Sequence, residues 1–182
     1  MSQDTIQSKE SNMMETFDAV RTVLATRQFR DTPIPDDVVR EIVTAAHLTA
    51  SASNAQPWRF IVVQNKDTLK QFGQLVRTGP YIPQAPLAIV VATENTPFAL
   101  SDGSRAIQSM ILTAWSHGVA SNWVGFSGRL NAVKPLLGIP DNLDVLAIVP
   151  FGYPAKAAGA GKKKRKPLGE VVSRERFDQP YS

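Results

Sequence analysis

The chain has 182 residues, 43% of them hydrophobic, which suits one globular domain with a core of its own. It has no cysteine and only two histidines, His47 and His117. That excludes disulfides, thiol nucleophiles and cysteine-held clusters, disfavours a histidine-rich metal centre, and leaves any redox work to an organic cofactor. The net charge of +4 is local, because five of the 20 basic residues form the run Lys162 to Lys166 and the other 15 face 16 acidic ones; no broad nucleic-acid-binding face is expected.

Residues 1–13 are polar and aperiodic, the pattern of a frayed tail without the apolar core of a signal peptide, and no stretch is long and apolar enough to span a membrane. A cytoplasmic setting is the expectation. Met14, Phe17, Val20, Val23 and Leu24 recur at helical spacing and predict a first helix ending near Thr26. After an extended Pro33-Ile34-Pro35, acidic Asp36 and Asp37 open a second helix whose buried stripe is Val38, Val39, Ile42, Val43 and Ala46. Phe60 to Val63 reads as a strand and Asp67 to Val76 as a helix. Leu87 to Ala92 is apolar throughout, which predicts a strand covered on both faces and therefore helices on both sides of a sheet. The spacing of Ile107, Met110, Ile111, Ala114 and Trp115 predicts a helix over 102–117, with Asp102 at its N-terminal cap and Gly118 ending it. A short strand at 122–124, a helix carrying Leu136 and Leu137, and a strand from Val145 to Phe151 follow.

Between the second helix and the first strand lies S-A-S-N-A-Q-P-W, Ser51 to Trp58, where Ser51, Ser53, Asn54 and Gln56 crowd four hydrogen-bonding side chains into six positions before Pro57. Such a loop suits a flat heterocycle with several donors and acceptors; by composition alone it is also an ordinary turn. Arg27 likewise reads as a cation near a helix C-terminus, Lys162 to Lys166 as a solvated tail, and Gly125 to Gly128 as a loop. No G-x-S-x-G or G-x-G-x-x-G is present, and Gly159-Ala160-Gly161-Lys162 lacks the residues of a phosphate loop.

Ala50 to Trp58, read on through Phe60-Ile61-Val62-Val63, resembles the A/P-S-x-x-N-x-Q-P-W-x-F-x-V-V signature of the nitroreductase family of FMN-dependent NAD(P)H oxidoreductases. Arg27-Gln28-Phe29 with Asp31-Thr32-Pro33-Ile34 is similar to its R-x-F-x-D-x-P-I segment, and Lys163 to Leu168 to its K-x-R-x-P-L. The resemblance implies an α+β three-layer sandwich, a central mixed sheet flanked by helices, in an intertwined homodimer. Residues 14–182 would form the domain, with an arm from about 155 wrapping the partner subunit.

The resemblance also assigns the FMN phosphate to Arg27, Lys163 and Arg165, the pyrimidine edge to Ser51, Ser53, Asn54 and Gln56, and a backbone donor for N5 to the turn at Val124 and Gly125. It implies NAD(P)H as electron donor, a flat small-molecule acceptor such as a nitroaromatic or quinone, a two-step mechanism, and no catalytic side chain. One departure stands out: the family's R-R-S triplet falls on Val23, Leu24 and Ala25, with Arg21 nearby as a substitute. Alternatives are a flavin-dependent dehydrogenase or flavin-fragmenting relative, a flavin-binding protein without turnover, and a nucleic-acid module built on Lys162 to Lys166.

Overall fold

The computed structural model describes residues 14–125, 130–156 and 163–181. The N-terminal tail, Phe126-Ser127-Gly128 and Lys162 lie outside the described residues. The elements run α1 (Thr16–Thr22), α2 (Asp36–His47), β1 (Trp58–Val63), α3 (Lys66–Leu75), β2 (Leu87–Glu94), α4 (Ala99–Ser116), β3 (Ala120–Ser121), α5 (Lys134–Leu137) and β4 (Leu143–Gly152). Short 3₁₀ turns fall at Ala52–Asn54, Ile82–Gln84, Asn131–Val133 and Leu168–Glu170.

The sheet order is β1-β2-β4-β3. Among the described residues the four strands pair antiparallel, with Trp58 opposite Thr93 and Leu87 opposite Phe151, and one parallel bridge from Ala25 to Ser121 makes the sheet mixed. Because side chains alternate along a strand, β2 feeds two cores. Leu87, Ile89 and Val91 pack with Val39, Ile42 and Ala46 of α2 and Ala106, Met110 and Ala114 of α4. Ala88 and Val90 pack on the opposite face with Leu69 and Phe72 of α3, Ile82, Leu130 and Val133. The sandwich expected from the unbroken apolar run is therefore present, with helices on both faces.

Local chemistry sets the helix ends. Asn65 caps α3 by accepting from the amides of Asp67 and Thr68. Gly118, at φ +71°, closes α4 as expected. Other boundaries differ from the periodicity. The first helix stops at Thr22, because Val23 turns extended (ψ 131°) and the chain peels away to bridge Ser121 through Ala25. α4 starts at Ala99, three residues before its predicted cap, so Asp102 lies inside its first turn. The strand expected at 122–124 is instead Ala120–Ser121, with Val124 bridging Ile148 alone. Among the described residues no helix is long and apolar enough to cross a membrane.

Phe72 is fully buried between α3 and the sheet. Phe72→Ala should cost about 3–5 kcal/mol of stability in denaturant unfolding, the usual range for emptying an aromatic core site.

Candidate functional site

The polar loop is built under strain. Ser53, Asn54 and Gln56 all adopt left-handed φ values, 51°, 55° and 49°, which L-residues avoid. Internal bonds hold them there: the Gln56 amide donates to Ser51 Oγ at 2.9 Å, and Gln56 Nε2 donates to Asn54 O and Oδ1 at 3.2 Å each. Ser53, Asn54 and Gln56 stay exposed while Pro57 and Trp58 are buried. Four of the sequence-predicted residues are thus brought together, with Ser51, Asn54 and Gln56 partly spent on shaping the loop and Ser53 exposed beside them.

A second feature lies where the C-terminal segment crosses α1 and the middle of α4. Lys163 and Arg165 line a cleft of about 350 Å³ with Val20, Val23, Leu24 and Ala25 on one side, and Gln108, Ile111, Ser121, Asn122 and Trp123 on the other. Lys163 Nζ donates to the carbonyl of Val20, at the end of α1. Desolvation first, and the neighbouring Arg165 charge second, hold the Lys163 ammonium below the ordinary lysine range. Val23, Leu24 and Ala25, where the resemblance to known sequences leads to an expectation of cations, make this wall apolar. Arg21 does not replace them, since it pairs with Asp18 at 2.8 Å.

Two predicted residues stand differently from expectation. Arg27 does not line the cleft; it is exposed, with its guanidinium 5.8 Å from the centre of the Tyr81 ring. Tyr81 in turn bonds Asn122 of the cleft wall. Val124 is buried, and its N–H donates to the carbonyl of Ile148 at 3.0 Å, so that donor is consumed inside the sheet. Gly125 follows at φ +93°. A Cβ there would sit 2.4 Å from Leu130 Cδ1, so packing against Leu130, rather than approach to a ring, already requires glycine.

Sequence reasoning missed Gln108, Asn122 and Trp123 as cleft residues and misread Asp102. That side chain is buried, and its Oδ2 accepts the Ala52 amide at 3.1 Å. Its helical register with Ala106, Met110 and Ala114, all on the apolar face, was the available signal. Among the described residues no cluster of His, Asp or Glu could hold a metal ion.

The strain at Ser53 is directly measurable. Ser53→Gly should raise thermal stability by about 0.5–1 kcal/mol, the left-handed penalty less the extra entropy of glycine.

Comparison with known proteins follows the same outline. The profile of the Nitroreductase family matches residues 21–105 and 77–153. A candidate NADH dehydrogenase/NAD(P)H nitroreductase of Archaeoglobus fulgidus is 35% identical over 151 residues, covering 78% of this chain and 87% of its own. A protein of the same description from Methanothermobacter thermautotrophicus is 30% identical over 154 residues, covering 80% and 81%. Among solved structures, an FMN-dependent nitroreductase of Clostridium difficile superposes with a TM-score of 0.79 at 23% identity, over 88% of this chain and 99% of that one. With the family profile running through most of the sandwich and a 35% identical relative covered over 87% of its length, the chain belongs to the nitroreductase family.

Proposed function

We propose that this protein is an FMN-dependent oxidoreductase that takes electrons from NAD(P)H and passes them to nitroaromatic, quinone or similar flat acceptors. The observation that carries the reading is the Ser51–Gln56 loop, a strained, pre-formed row of exposed donors and acceptors of the kind a pyrimidine edge needs. The residues present fit the group: Lys163 and Arg165 supply cations for a phosphate, and Val20, Leu24, Ile111 and Trp123 supply apolar contact beside them. A bound FMN would supply the two-electron chemistry, serving donor and acceptor in turn on one face of its ring.

The side chains then bind, orient and exclude water. Asn54 and Ser53 offer an amide and a hydroxyl to the heterocycle edge, and Lys163 and Arg165 neutralise the anionic end. Direct hydride transfer depends on two planes held in register more than on an acid or base, so no catalytic side chain is assigned. The amide of Gly125 is the candidate donor toward the ring, in place of the committed amide of Val124.

The loop and the cationic cleft have no lining residue in common. This supports a homodimer in which each flavin takes its edge contacts from one chain and its phosphate contacts from the other. The C-terminal segment supplies apolar surface for such pairing: Leu168, Val171, Tyr181 and Phe177 are exposed, Phe177 to 88%. Only four residues, 95–98, separate β2 from α4, too few for a lid, which supports an open site with broad acceptor range.

The purified protein should be yellow, sediment as two chains with two flavins, and bleach when NADH or NADPH is added anaerobically. Colourless protein that fails to take up added FMN would sink the reading. FMN affinity should also fall as pH rises toward the lowered Lys163 pKa, because the ammonium is present below that value and lost above it. Lys163→Arg should move this loss beyond the accessible range, as a guanidinium stays protonated throughout it; a pH series of FMN dissociation constants for both proteins reads the difference.

A further inference from the structure

Asp102 is the buried polar group that the proposed chemistry leaves without a task. Its side chain is 1% exposed, on the face of α4 that carries Ala106 and Met110 into the core. It does not cap its own helix, which begins at Ala99 and in which the Asp102 amide already donates to Phe98 O at 2.9 Å. One carboxyl oxygen, Oδ2, accepts the backbone N–H of Ala52 at 3.1 Å. The other, Oδ1, has no hydrogen-bond partner among the described residues; the Arg105 guanidinium lies 3.4 Å away, an ion contact without hydrogen-bond alignment. A carboxyl buried this way is costly to keep, and a small apolar residue would pack the site more cheaply.

Ala52 is the first residue of the 3₁₀ turn that leads into the left-handed residues Ser53, Asn54 and Gln56. The loop is fastened at both ends as well. Thr49 Oγ1 bonds Ser109 of α4 at 2.8 Å, and the Glu94 amide donates to Pro57 O at 2.8 Å. Between those two points, the Asp102–Ala52 bond ties the body of the loop to the core. Without it the strained stretch has only its own internal bonds, and left-handed L-residues relax where nothing holds them.

We infer that Asp102 is the positioning residue for flavin recognition, pinning Ala52 so that Ser53 to Gln56 present their polar groups to the pyrimidine edge of FMN in a fixed orientation. The inference rests on the FMN reading above, and it assigns Asp102 no contact with the flavin.

The test compares FMN with N3-methyl-FMN, which keeps the phosphate and the ring but loses the N3–H donor of the pyrimidine edge. Wild-type protein should bind FMN at least about 10-fold more tightly, the cost of leaving one buried partner unpaired. Asp102→Ala should reduce that preference to about 2-fold or less, on the same scale, by weakening FMN far more than the methylated analogue, whereas a merely structural loss would weaken both equally. Asp102→Asn, which keeps the volume and an oxygen for the Ala52 amide, should restore the preference. If Asp102→Ala retains the wild-type preference, the anchor is wrong while the flavin reading stands; if the wild type binds neither flavin, the flavin reading fails and takes the anchor with it. Should Asp102→Ala not fold, the wild-type Ala52 amide decides: slow hydrogen exchange supports the anchor, and exchange at the rate of an unstructured peptide overturns it.

Discussion

Strand β2 is dry on both faces, and most of the molecule follows from that. Seven of its eight residues are buried, so neither face can be left to water, and each must find a helical cover. α2 and α4 supply one cover and α3 the other, and the rims of those layers are where the polar loop and the cationic cleft are found. α4 has the most demanding position, packing so closely on the sheet that a side chain at Gly103 would meet Leu146 Cδ2 at 2.3 Å. The same helix then supplies Asp102 and Ser109 to the loop and Gln108 and Ile111 to the cleft. One rigid rod thus references both halves of the candidate site to one core.

What could be read from the sequence was whatever is determined locally. The apolar run at Leu87 to Ala92, the acidic start of α2 and the glycine closing α4 each carry their own cause. The loop from Ser51 to Trp58 announced itself by its density of polar side chains. What could not be read depends on partners distant in sequence. α1 ends early because Ala25 meets Ser121, and the Val124 amide is unavailable because it meets Ile148. Arg27 stands apart from Lys163 and Arg165 because Tyr81, far along the chain, offers it a ring face. Asp102 was misread for a related reason, since an acidic residue near a helix start has an ordinary explanation that conceals a tertiary one.

The cleft divides its chemistry between two segments of the chain. Val23 and Leu24 present apolar surface, and the positive charge comes from Lys163 and Arg165 of the C-terminal segment. Lys163 reaches back to Val20 at the end of α1, so the segment that supplies the charge is fastened to the wall that lacks it. The position of the cleft's positive charge therefore depends on how firmly that segment is seated.

The order of the strands also governs how the chain can assemble. β2 pairs on one side with its sequence neighbour β1 and on the other with β4, Leu87 opposite Phe151, and α4, β3 and α5 lie between β2 and β4 in the chain. The centre of the sheet can therefore form only after a long loop has been closed, and that loop contains the longest helix of the protein. Pairings of this kind fold slowly, on the scale of milliseconds to seconds in small domains, because chain entropy is lost before the contacts that offset it are made. During that interval an apolar β2 has only β1 beside it, so a nascent chain is at its most adhesive before β4 emerges from the ribosome.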